Sequence, residues 1–84
     1  PEHTAFASEF LMQQMEWRET LAEARAAGDT AALNALERQV SAEQTALYGQ
    51  LAAAFDAQQY QTAAQLVRQG RFLNKMRQEI ENAV

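Results

Sequence analysis

The sequence predicts an all-α fold, an antiparallel three-helix bundle, on three observations. Ala and Gln are abundant, Pro occurs only at position 1, and three Gly are spread over 84 residues. Such a composition favours helix from end to end. Apolar residues recur at steps of three and four along most of the chain, the spacing of one helical face. Two short stretches, Gly28-Asp29 and Asp56-Ala57-Gln58-Gln59, interrupt that pattern. They divide it into helices at about 9–27, 30–57 and 60–82. At this length the chain is one small domain, whose core holds only if its helices are long and well packed.

Residues 1–7 read as a lead-in to helix one. Ser8 is the candidate N-cap, with Glu9 in the first turn, where a carboxylate meets the positive end of the helix. Thr4 is a competing cap that would start the helix one turn earlier. The helix then runs to about Ala27 and carries apolar residues on two sides. With Phe10 set at zero and 100° per residue, Leu21, Trp17 and Ala24 fall at roughly 20°, 340° and 320°, a stripe suited to a bundle core. Leu11, Met15 and Met12 fall at roughly 100°, 140° and 200°, and Glu19, Glu23 and Glu16 at roughly 180°, 220° and 240°. The side away from the core should therefore show three large apolar side chains edged by three carboxylates.

Gly28-Asp29 is the clearest punctuation. Gly suits the left-handed residue past a helix end, and Asp can cap the next helix. So short a connection makes its two helices antiparallel neighbours. Helix two takes Leu33, Leu36, Val40, Leu47, Leu51, Ala54 and Phe55 as its apolar stripe, with Glu43 and Gln44 interrupting the middle. Gly49 lies inside it, costs on the order of 1 kcal/mol relative to Ala, and could permit close approach of a neighbour. The second break lacks Gly and Pro, but an unbroken helix from 30 to 82 would be about 80 Å long. A domain this small could not bury it.

Helix three takes Ala63, Leu66, Leu73, Met76 and Ile80 as its stripe, with Phe72 toward one flank. Arg68, Arg71, Lys75 and Arg77 make its middle basic, while helix one is mostly acidic. Antiparallel helices so charged would gain about 0.2–1 kcal/mol per exposed pair.

Several function classes find little support. A formal charge of −4 argues against sequence-independent nucleic-acid binding. With no Cys there is neither a disulfide nor a thiolate metal site. The single His, His3, lies near the terminus without a partner for catalysis, so an enzyme is not expected. Glu16, Glu19 and Glu23 share one helical side, as carboxylate ligands can. A bundle di-iron site needs Glu-x-x-His pairs aimed into the core, so neither a metal nor another cofactor is implied. No apolar run approaches the roughly 20 residues of a membrane span, and no leader pattern occurs.

The Leu11/Met12/Met15 sector has two open readings. It is core if helix one sits deep between the other two, and an interface if it faces out. The carboxylates favour the second, since they are costly to bury unpaired. An exposed sector could serve a client protein, or seal a homodimer as a self-association seam. An amphipathic membrane-surface helix is a poor third reading, because anionic lipid repels the acidic edge.

Leu11-Met12-Gln13-Gln14-Met15-Glu16-Trp17-Arg18-Glu19 resembles the start of the C-terminal domain of HscB, the J-type co-chaperone family of iron–sulfur cluster assembly. Arg68-Gln69-Gly70-Arg71-Phe72-Leu73-Asn74-Lys75-Met76 is similar to that family's second recognisable segment, at a fitting distance. The likeness runs from about Thr4 to Ile80. It implies a bacterial, cytoplasmic three-helix domain that binds the cluster scaffold IscU and presents it to the Hsp70 chaperone HscA. Carried over by position, the IscU-binding residues would be Leu11, Met12, Met15, Glu16, Glu19, Glu23 and Phe72. Position 15 is Met where Leu is commoner, and position 17 is Trp where an aliphatic residue is usual. No His-Pro-Asp tripeptide occurs, so the ATPase-stimulating J domain is absent from these residues. A piece cut from a longer protein, binding its client without driving the chaperone cycle, is the expectation.

Overall fold

The computed structural model describes the backbone from Glu2 to Val84 and the side chains from Ser8 onward. Three helices make up the described chain: α1 (Glu2–Ala27), α2 (Thr30–Asp56) and α3 (Tyr60–Ala83). The second and third match the expected spans to within one residue. The first starts earlier. Neither Ser8 nor Thr4 caps it, because both lie inside α1, and residues 2–7 belong to the helix rather than to a lead-in. No Gly or Pro separates Glu2 from Phe10, and Ala5 and Ala7 are strong helix formers, so nothing local stops the helix at Ser8. The side chain of His3 lies outside the described residues.

Both turns close in the same way. At the first, the Asp29 N–H donates to the Ala24 carbonyl at 2.9 Å and Gly28 is left-handed, with φ +64°. The Asp29 carboxylate then accepts from the Ala32 N–H at 3.0 Å and caps α2. At the second, the Gln59 N–H donates to the Ala54 carbonyl at 2.8 Å and Gln58 takes the left-handed place, with φ +57°. A non-glycine residue there is strained by roughly 1–3 kcal/mol. This explains why the second turn is faint in the sequence: its geometry is that of a glycine turn, built without glycine.

Contacts set the direction of each helix. Gln44 meets Asn74 and Arg77, Leu47 lies against Gly70, and Phe55 meets Tyr60, so α2 and α3 run antiparallel. Phe10 meets Phe72 and Arg18 meets Glu79, so α1 and α3 run parallel. The result is an up-down-up bundle of 45 × 24 × 15 Å, in which neighbours along the chain oppose each other. The expected pairing of acidic helix one with basic helix three in antiparallel fashion is therefore corrected. Among the described residues, the interhelical ion pair has the opposite polarity, with the cation on α1 and the acid on α3.

The core collects Trp17, Leu21 and Ala24 from α1, Leu33, Leu36, Val40, Leu47 and Ala54 from α2, and Ala63, Leu66, Leu73, Met76 and Ile80 from α3. The three predicted stripes are thus buried together, with three adjustments. Phe10 is only half-buried. Leu51 is half-buried and Phe55 is exposed, since Phe55 falls at the end of α2 and leans on Tyr60, with ring centroids 6.3 Å apart. Gln44, read as an interruption, is buried and forms part of the packing.

The glycines also differ from expectation. Gly49 has open space beside it and admits no close neighbour. The close approach is at Gly70, where a Cβ would stand 3.1 Å from Leu47 Cδ2.

Candidate functional site: the outer face of α1

An α-helix repeats every 3.6 residues, so Trp17, Leu21 and Ala24 can face the core only if the residues between them turn away. Trp17 is 6% exposed, whereas Leu11 is 56% and Met12 and Met15 are each 64% exposed. Glu16, Glu19 and Glu23 are exposed as well. The two sectors read from the wheel are therefore physically separate: one is core, the other solvent-facing. Helix α1 does not sit deep between the other two, which removes the reading of Leu11, Met12 and Met15 as core.

Phe72 stands at the seam between α1 and α3. It is half-buried, and its ring meets that of Phe10 edge to face, with centroids 5.7 Å apart and an interplanar angle of 86°. This is a favourable quadrupole arrangement. The guanidinium of Arg18 lies 5.4 Å from the Phe72 centroid, and Nη1 of the same residue is 3.5 Å from Glu79 Oε2. Arg18 thus ties α1 to α3 by two contacts at once. Sequence reasoning did not single it out. The only hint was an Arg one position past Trp17, on the flank of the core stripe.

A second feature missed in the sequence lies between α2 and α3. Buried Gln44 donates through Nε2 to Asn74 Oδ1 and accepts from Arg77 Nη1 at 3.0 Å. Both faces of its amide are used, which is what makes a buried Gln tolerable. Arg77 Nε is buried without a partner, and its Nη2 lies 4.0 Å from Glu81. This cluster links α2 to α3 through side chains.

Two depressions flank the N-terminal half of the bundle. One, of about 200 Å³, is walled by Glu9, Phe10 and Gln13 of α1 and by Glu43, Leu47 and Leu73 among others. The other, of about 350 Å³, runs between α1 and α3, with Phe10, Leu11 and Gln14 on one wall and Gln65, Arg68 and Gln69 on the other. Leu11 is thus shared between the exposed sector and this groove. Among the described residues no group of three or more His, Cys, Asp or Glu is placed to hold a metal ion. No helix among them is long and apolar enough to cross a membrane.

The domain thus has one closed core and a separate, exposed, acid-edged apolar face on α1. Residues 7–81 match the family described as the HSCB C-terminal oligomerisation domain, and the chain belongs to that family. It is 60% identical over 84 residues to a co-chaperone protein HscB homolog of Neisseria meningitidis, covering all of this chain and 51% of that protein. Identity is 56% to the homolog of Neisseria gonorrhoeae, with the same coverage. Against the homolog of an Azoarcus species it is 42% over 83 residues, 98% of this chain and 47% of that protein. The chain therefore spans about half the length of the curated relatives it matches. No solved structure gives a significant match.

Proposed function

We propose that this chain is the client-binding module of an HscB-type co-chaperone in the bacterial cytoplasm. Its client is the iron–sulfur cluster scaffold IscU, held on the outer face of α1 for delivery to the Hsp70 chaperone HscA. Engagement of HscA belongs to a J domain, whose His-Pro-Asp tripeptide these 84 residues do not contain. The role is binding rather than catalysis, in keeping with relatives named as co-chaperones.

The observation that carries the reading is the exposure of Leu11, Met12 and Met15 side by side on one helix. Three large apolar side chains more than half in water, clustered on one helix of a domain with its core elsewhere, form the kind of patch that marks an interaction site. Glu16, Glu19 and Glu23 edge them and suit a basic rim on the partner, adding orientation and association rate more than affinity. Phe72 extends the surface across the α1/α3 seam.

Isothermal titration against IscU tests the proposal. Fully burying a Leu or Met side chain is worth about 1.5–3 kcal/mol, and only the exposed fractions of Leu11 and Met15 remain to be buried on docking. Leu11→Ala with Met15→Ala should therefore weaken Kd roughly 20- to 400-fold, with helicity unchanged. An unaltered Kd in a folded double variant refutes it.

A second reading is favoured by the family's description as an oligomerisation domain. The same face could seal two copies into a homodimer. Sedimentation equilibrium separates the two. A stable dimer that Leu11→Ala dissociates supports self-association, and a monomer supports the client surface.

A further inference from the structure

We infer that Arg68 is a recognition residue of the same docking surface. It receives a carboxylate of the bound partner in the groove between α1 and α3. The inference rests on the client-binding reading above and adds a requirement to it. The partner must offer an acidic side chain beside the apolar ones that cover Leu11.

Four observations lead there. Arg68 lines the groove of about 350 Å³ opposite Leu11, so the groove continues the exposed apolar sector instead of lying apart from it. Arg68 stands one helical turn before Phe72, and on a 100° wheel the two differ by only about 40°, so they share the flank of α3 that faces α1. Its side chain is exposed, and among the described residues no carboxylate lies within ion-pair distance of it. By contrast, Arg18, the other cation at this seam, is already held by Glu79 and the Phe72 ring. Among the described residues lining this groove, Arg68 is thus the cation that no carboxylate holds.

Charge complementarity identifies the occupant. The chain carries a net −4, and the C-terminal end of the α1 sector is edged by Glu16, Glu19 and Glu23. The other end, at Leu11, borders Arg68 across the groove. The surface is therefore polar along its length, with cation at one end, apolar in the middle and acid at the other. A partner segment with the inverse order, acidic then apolar then basic, fits in one direction only. Reversed, it would set like charges against each other at both ends. A bidentate guanidinium–carboxylate pair at the edge of an apolar patch is also better placed than an isolated surface pair, because the docked partner excludes water around it.

The test is titration calorimetry of the 84-residue chain against IscU at low and high salt. Arg68→Gln should weaken binding by roughly 3- to 10-fold and Arg68→Glu by roughly 10- to 100-fold, with a shallower salt dependence for Arg68→Gln. Arg38→Gln, an exposed cation on α2, is the control and should bind as the parent does. Replacing acidic residues of IscU by Lys one at a time should reveal one change that restores binding to Arg68→Glu. If Leu11→Ala with Met15→Ala abolishes binding while Arg68→Glu matches the parent, the assignment of Arg68 is overturned and the client surface stands. If neither substitution matters, or the parent does not bind, both are overturned.

Discussion

Arg18→Gln isolates what holds α1 against α3. Backbone contact of α1 is chiefly with α2, and beyond the shared core its specific side-chain contacts to α3 are at Phe10–Phe72 and at Arg18. Substituting Arg18 removes two contacts and leaves the helix intact. The ion pair to Glu79 joins side chains 47% and 30% exposed, so it is worth only about 0.2–1 kcal/mol. The guanidinium over the half-buried Phe72 ring, at 5.4 Å, adds about 0.5–1 kcal/mol. Together the loss is about 1–2 kcal/mol. For a domain of 84 residues that corresponds to a fall in Tm of roughly 4–16 °C. Thermal melts followed by circular dichroism measure it, at low salt and at 1 M salt. Only the ion-pair share is screened, so the difference between parent and variant should shrink but not vanish at high salt. A double-mutant cycle with Glu79→Gln and another with Phe72→Leu should each return a coupling of about 0.3–1 kcal/mol. A variant as stable as the parent at both salts, with no coupling in either cycle, refutes the claim that Arg18 straps α1 to α3.

The remaining predictions concern the packing and the acidic edge. Gln44→Ala should cost about 1–3 kcal/mol in urea unfolding, since it strips Asn74 and Arg77 of their partner and leaves a void. Gln44→Leu should cost less because it fills the space, and equal costs for the two would show that packing plays no part. Neutralising Glu16, Glu19 and Glu23 together to Gln should slow association with IscU in stopped-flow at low salt, and the difference should fade as salt rises. An unchanged rate constant at low salt removes the steering role.

Helix spans and the exposed sector are legible from residues alone, and the places where that reading stops have physical causes. Trp17, Leu21 and Ala24 were assigned inward, and Leu11, Met12 and Met15 outward, by the 100° step of a helix. That step is a property of the backbone and needs no knowledge of a neighbour. Gly28 announced its turn because a left-handed residue is cheap only for glycine. The equivalent turn at Gln58 was faint because the fold imposes the same conformation on a residue that carries no such mark. The start of α1 was set too late because Ser8 is a good cap, yet nothing obliges a helix to begin at the first residue able to cap it.

Sequence by itself determined the number of helices, their approximate ends, the core stripes and the acid-edged face of α1. All of these follow from propensity and from contacts three or four residues apart. Only the tertiary structure decided that α1 and α3 run parallel, that Arg18 is shared between Glu79 and the Phe72 ring, that Gln44 is buried with both amide groups satisfied, and that Arg68 faces Leu11 across a groove. Those depend on the rotation and axial height of one helix against another. A change of one residue in that register, about 1.5 Å, would leave every local preference intact while exchanging the partners of each of these side chains.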